Sequence, residues 1–277
     1  MTTFKLLMRD KLAAVGFVVL AVYVMLALLA PSLPLHDPLE MHPQEILKPP
    51  SRDYLLGTDS HGRDVLSRLI FGARVSLLVS VTSVMGAAVV GTFFGVISGY
   101  FGGMLDNIVM RIADVLFGFP GLLLALAMAA ALGPSSRNVS IAIAVIYLPI
   151  FARVARAPVL SVKEEEFILA TRCIGARQNR IILLHILPNI MAPIVVQASL
   201  SLSKAMITEA SLSFLGLGTQ PPAPSWGSML DQGRRLMELA WWMAIFPGLA
   251  IMLAVLGFNL LGDGLRDVLD PQLRHLA

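Results

Sequence analysis

Charged residues along this chain fall in clusters, and the stretches between the clusters are long and apolar. A helix needs roughly 20 apolar residues to cross about 30 Å of hydrocarbon, so each stretch is a candidate span. The first lies between Lys11 and His36, the second between Arg74 and Asp106, and the third between Asp114 and Arg137. A shorter fourth runs from Asn138 to Phe151 and continues as helix to Arg153 and Arg156, which are expected to snorkel toward the interface. The fifth starts after Pro188 and contains Lys204 and Glu209, and the sixth is clean from Leu239 to Gly262. The pattern predicts an all-α polytopic membrane protein with six transmembrane helices and both termini on one side.

Composition agrees, with 56% hydrophobic residues, 14% charged residues and a mean hydropathy of +0.77, outside the range of a soluble domain. Lys and Arg near span ends stay on the cytoplasmic side. Lys5, Arg9 and Lys11 therefore place the N-terminus inside, together with Arg153, Arg156, Lys163, Arg172, Arg177, Arg180, Arg266 and Arg274. Lys48, Arg52, Arg63, Arg68 and Arg74 fall outside, in a segment long enough to translocate with little regard for charge. The apolar run from Leu12 to Ala30 exceeds the 7–15 residues or so of a secretory signal core, so it reads as an uncleaved anchor. The lone Cys173 can form no intramolecular disulfide and is expected to be a small buried side chain. Membrane lipid is an expected contact, and nucleic acid is not.

Between the first two spans, Pro31, Pro34, Pro38, Pro43, Pro49 and Pro50 predict irregular structure. The segment ends in LGTDSHGRDVLSRLIFGARVSL, Leu56 to Leu77, with a turn at Gly57 to Asp59. Val65, Leu66, Leu69 and Ile70 then recur at helical spacing, which predicts an amphipathic helix along the outer surface. Two uses remain open for its charges. Asp59, Arg63, Asp64 and Arg68 can form local ion pairs, or Asp59, Arg63 and Asp64 can present a docking surface to an external protein. Farther on, Gly91, Gly95 and Gly99 follow Gly86 at four-residue intervals, a spacing that admits another helix closely, inside this chain or in a sliding partner.

The densest mixed charge lies in one internal loop, Lys163 to Asn189. Phe167, Ala170, Thr171 and Ile174 share a helix face, Gly175 permits a sharp turn, and a second helix follows from Arg177 to Leu187. Pro188 separates it from the next span or starts that span. Such a knob suits a helix-in-groove contact with a soluble partner, and equally an interfacial helix on anionic lipid. Within the fifth span, Lys204 and Glu209 mark a pathway or a pair, and Glu209 is either a hydrogen-bond anchor or a gate element. Asp114 with Arg111 is expected to be an interfacial pair. Ser199, Ser201 and Ser203 alternate, so not all can face a channel.

The run EFILATRCIGARQNRIILLHILPN resembles the EAA loop of permease subunits in ATP-binding-cassette importers. Gly175 is followed by the nine residues Ala176 to Leu184, then His185, Ile186, Leu187 and Pro188, in the family's spacing. The His-Ile-Leu-Pro form is similar to the branch that imports peptides, nickel and opines. Leu169, Ala170 and Thr171 stand where that family has Glu-Ala-Ala, with acidic residues shifted to Glu164, Glu165 and Glu166. Leu56 to Leu77 and EASLSFLGLGTQPPAPSWGSML, Glu209 to Leu230, are similar to two further blocks of the branch.

The resemblance implies the type I importer permease fold and the second permease subunit of a dipeptide or oligopeptide importer. Its implied partners are a second permease, two cytoplasmic ATP-binding subunits and an external substrate-binding protein, in a bacterial inner membrane with both termini cytoplasmic. It assigns ATPase coupling to Glu166, Phe167, Ala170, Thr171, Arg172, Ile174, Gly175, Ala176, His185 and Pro188. It divides the chain into residues 1–30 (tail and first span), 31–73 (external segment), 74–263 (permease core with coupling loop 160–190) and 264–277 (tail). No cofactor or metal is expected in this chain, and ATP with magnesium is expected on the ATPases. Independently, none of its lysines follows a glycine, so the GK[ST] end of a phosphate loop is absent. HExxH and GxSxG are absent too, which argues against hydrolase chemistry. The rival reading is an ion-coupled secondary transporter, which would carry its own midplane ion site.

Overall fold

A computed structural model describes residues 6–269. The expectations placed on Lys5 and Arg274 lie outside the described residues. Helix α1, Lys11–Leu29, opens on Asp10, whose carboxylate accepts from the Leu12 amide at 2.9 Å, and it closes in a 3-10 turn at Ala30–Ser32. The proline-rich segment that follows contains only short turns and one isolated bridge, Thr58 to Asp64. Helix α2, Val65–Phe101, is 37 residues long, about 55 Å at 1.5 Å per residue. Asp64 caps it by accepting from the Leu66 and Ser67 amides, and Gly102 ends it.

Here the structure departs from the sequence reading. The helix expected to lie along the outer surface is the first part of α2 itself, and Val65, Ser67, Arg68, Gly72 and Ala73 are buried. A boundary at residue 73 therefore falls inside one continuous helix. The third span also differs. Helix α3, Gly103–Phe117, and helix α4, Gly121–Leu132, are bent by 91° at a break that includes Pro120. Proline has no amide to donate and disfavours helix at the residue before it, here Phe119. Among the described residues, five helices are long and apolar enough to cross a membrane, or six if the bent pair is one span.

Helix α5, Ser136–Val162, runs through Pro149 and Pro158 without ending. Helix α6, Glu166–Cys173, and α7, Gln178–Ile181, follow as the two predicted short helices. One π turn, Ile182–Ile186, then leads directly into α8, Leu187–Phe214. Pro188 thus lies in the first turn of α8, directly after the π turn. Helix α9, Trp226–Arg234, is short, and α10, Trp242–Leu269, is the last crossing.

The centre of the molecule is α2 against α5. Their backbones nearly touch: a Cβ on Gly95 would sit 2.2 Å from the Ala152 carbonyl oxygen, and one on Gly91 would sit 2.5 Å from that of Leu148. The glycine row is used inside this chain. Helix α8 leans on both, α10 packs on α8, and α1 covers α10. Val84, Ile143, Phe151, Ile186, Ile190 and Leu212 are among the buried residues that join α2, α5, the π turn and α8 in one cluster.

Candidate functional site

The loop between α5 and α8 forms a projecting knob on a fixed base. Its inner side is apolar: Ile168 of α6, Ile181 of α7 and Ile186 of the π turn are fully buried, and Ala176 packs against the same cluster. Two polar ties hold the base to the end of α2. Lys163 Nζ donates to the Gly99 carbonyl at 2.9 Å, and the Arg172 guanidinium lies 5.3 Å from the Tyr100 ring centroid. Thr171 Oγ1 donates back to the Phe167 carbonyl, and the Ala176 amide closes the turn onto Thr171 O.

The outer side is what remains. Ile174 is 84% exposed, and Phe167 and Leu169 beside it are more than two-fifths exposed. Glu166, Ala170, Arg172 and Gly175 are exposed, whereas Thr171 and His185 are half-buried; Pro188 is exposed at the start of α8. Gly175 has φ +79°, a left-handed conformation that costs other L-residues about 1–2 kcal/mol. That conformation turns the chain from α6 into α7 and leaves Ile174 at the tip. An exposed apolar residue on a rigid, charge-ringed tip is suited to insertion into a cleft. Cys173 is exposed on this knob, contrary to its expected burial.

At the opposite end, Asp59 forms the expected local ion pairs with Arg63 and Arg68, and Asp59, Arg63 and Asp64 are buried within the chain and not presented at its surface. All three are 4% exposed or less. Asp59 accepts from the His61 and Arg63 amides and from Arg63 Nε at 2.7 Å, with Arg68 Nε 3.4 Å away. Arg68 also donates to the Pro38 carbonyl, which ties the proline-rich segment to α2. Trp242 Nε1 donates to the Thr58 carbonyl, and the fully buried Trp226 donates through Nε1 to the Leu69 carbonyl. The proline-rich segment is thus a plug clamped onto α2, α9 and α10.

Lys204 and Glu209 do not pair. Five residues apart, they point about 140° from one another around the helix; Lys204 is exposed, and Glu209 is 1% exposed. Ser213 Oγ donates to Glu209 Oε1 at 2.7 Å, and Ser76 of α2 lies beside the carboxyl group. Ser76 Oγ also accepts from the Trp226 amide, so Glu209 is in the anchoring position between α8, α2 and α9. Ser199, Ser201 and Ser203 are all buried.

Two ion pairs were not legible in the sequence. Asp106 takes Arg156 through two hydrogen bonds, and Asp114 takes Arg153, so α3 is strapped to α5. Asp114 does not pair with Arg111, and the two arginines of α5 reach carboxylates in place of the headgroups. Only proximity across 50 and 39 residues of chain creates these pairs. Asp106→Asn and Arg156→Gln are expected to show about 1–2 kcal/mol of coupling in a double-mutant cycle of thermal unfolding in detergent. Strict additivity would show that the pair contributes nothing to holding α3.

The profile of the family described as binding-protein-dependent transport system inner membrane component matches residues 91–275. That of the N-terminal TM domain of oligopeptide transport permease C matches residues 2–50. The chain is 47% identical to the dipeptide transport system permease protein DppC of Alkalihalophilus pseudofirmus, over 98% of its own length and 89% of that protein. It is 44% identical to the di/tripeptide transport system permease protein DppC of Pseudomonas aeruginosa, over 97% and 91%. With the glutathione transport system permease protein GsiD of Pectobacterium atrosepticum it shares 49% identity, over 81% and 75%. Among solved structures, the MetNI methionine ABC transporter in inward-facing conformations is similar in fold, with a TM-score of 0.58 and 21% identity over 73% of this chain and 96% of that one.

Proposed function

Because the chain belongs to the family of binding-protein-dependent transport system inner membrane components, we propose that it is the permease subunit of an ATP-driven importer of short peptides. The observation that carries the coupling is the knob: an 84% exposed Ile174 held at the tip of a base that is itself buried. The chain does no bond chemistry. Its partners in this reading are a second permease, two cytoplasmic ATPases that receive the knob, and an external binding protein that meets the outer surface of the plug. The termini and the knob are then cytoplasmic. Closure of the ATPase pair would push the knob and shift the permease between two membrane states, the arrangement that coupling between distant sites requires.

The reading is tested by expressing the chain with its genomic neighbours and reconstituting what co-elutes into liposomes. Uptake of a dipeptide that needs internal ATP and the binding protein, and that survives collapse of the proton gradient, is the expected result. Uptake that follows a proton or sodium gradient without any ATPase would replace it with secondary transport. Ile174→Asp is expected to leave the thermal midpoint within about 2 °C, since an exposed tip contributes little to folding, while ATPase recovery falls about tenfold or more. Undiminished recovery would remove Ile174 from the contact.

A further inference from the structure

Helix α8 carries two separate sets of polar residues. One set, Ser199, Ser201, Ser203, Glu209 and Ser213, is buried against neighbouring helices. The other set is Gln197, Lys204, Thr208 and Ser211, each at least partly open. At 100° per residue, Gln197 and Ser211 lie within about 20° of Lys204, one on each side, and Thr208 lies within about 40°. The seven-residue spacing sets three polar positions over about 21 Å on one face of a membrane helix, with Leu200 between Gln197 and Lys204 on that face. Tyr147 of α5 borders it, with its hydroxyl meeting Thr208.

Lys204 is ten residues from the end of α8 at Phe214, about 15 Å along the axis, which places its ammonium deep in the span. It forms no ion pair among the described residues. A lysine at that depth cannot face hydrocarbon without a large cost, and such groups face a bundle interior or a water-filled path. The apolar side of the same helix lies elsewhere. Met191, Val195 and Ala198 line a groove with Val89, Phe93 and Val96 of α2, and they point about 120–180° away from Lys204.

Resting on the peptide-importer reading, we infer that the Gln197–Lys204–Ser211 row lines the substrate passage and that Lys204 receives the C-terminal carboxylate of the peptide in transit. The chemistry fits a cargo of varied side chains. An ammonium attracts the C-terminal carboxylate, the one anionic group that every unmodified peptide carries, and repels the N-terminal ammonium. Thr208 and Ser211 donate their hydroxyl protons to the Lys204 and Ile207 carbonyls of their own helix, and Gln197 Nε2 donates to Ser201 Oγ, which leaves their oxygens to accept from any peptide amide and to read no sequence. A fixed positive charge midway along the passage also repels a divalent cation, which favours peptides over nickel as the cargo.

The test uses the full transporter, reconstituted with its binding protein, and compares uptake of dialanine with that of its C-terminal amide. The same binding protein serves every variant, so its own preference cancels. K204Q is expected to lower the ratio of acid to amide uptake about tenfold, the worth of one charge-assisted hydrogen bond, with subunit recovery and basal ATP hydrolysis unchanged. K204R is expected to keep the ratio within about threefold of the unmodified chain, since the charge and donors remain. An unchanged ratio in K204Q overturns the inference. So does loss of the second permease from both variants, which would make Lys204 an inter-subunit contact. If the unmodified transporter moves no peptide, the peptide-importer reading itself has failed, and that is seen before any variant is made.

Discussion

A Gly175→Val permease will insert and fold, yet it will import at about one tenth of the unmodified rate or less. The reason is conformational and not steric. At Gly175 φ is +79°, and an added Cβ would meet nothing within 4 Å, so the substitution disturbs neither core nor neighbour. What it disturbs is the turn. A β-branched residue in the left-handed region is strained by about 1–2 kcal/mol or more, and relief comes by swinging Ile174 and α6 away from α7. Every 1.4 kcal/mol or so is a tenfold change in the docking-competent population. Gly175→Asn should be milder, because asparagine tolerates that conformation. The measurement is ATP-dependent uptake per inserted permease beside ATP hydrolysis in the same vesicles. Hydrolysis that continues while uptake falls is the expected outcome, and full coupled uptake in the valine variant would remove the knob from the energy path.

Gly95→Val fails for the opposite reason. Its backbone conformation is ordinary helix, but its Cβ would lie 2.2 Å from the Ala152 carbonyl oxygen and 3.0 Å from the Ala152 carbonyl carbon. Those atoms are backbone, so no rotamer change can clear the contact, and α2 and α5 must separate along the central interface. Overpacking costs about 1–3 kcal/mol when side chains can move, and more when they cannot. At about 2–4 °C per kcal/mol for a chain of this size, the thermal midpoint in detergent should fall by roughly 5–10 °C or more. Gly86→Val is the matched control on the same helix, since a Cβ there would meet nothing within 4 Å. Equal midpoints for the two variants would show that the α2–α5 approach contributes nothing to stability.

The membrane helices were legible because hydrocarbon accepts only backbone that is paired within its own segment, which writes itself as long charge-free runs. The knob was legible as well, because a helix face and a glycine are local features. The errors over Asp106 and Asp114 have one cause: a charge read along the chain is taken as solvated when its partner is distant in sequence. Asp106 and Asp114 were read as span edges, yet each is neutralised by an arginine of α5. The local ion pairs offered by Asp59, Arg63 and Arg68 form, and what the sequence does not show is that folding of the proline-rich segment onto α2 encloses them together with Asp64. The break between α3 and α4 has a local sign, Gly118 to Pro120, that apolar length alone conceals. The polar positions on α8 are hard to read from sequence because the buried Ser199, Ser201 and Ser203 interleave with the seven-residue spacing of Gln197, Lys204 and Ser211.

The direct passage from α7 through the π turn into α8 has a mechanical consequence. From Gln178 to Phe214 the chain is helical throughout, about 55 Å at 1.5 Å per residue. Such a rod acts as a lever. A push of about 5 Å on the knob, pivoting near the middle of the rod, tilts it by about 10° and swings the far end a similar distance the other way. Force applied on one side of the membrane can therefore reach Lys204 and Glu209 along a single element whose bending points are the π turn and Pro193.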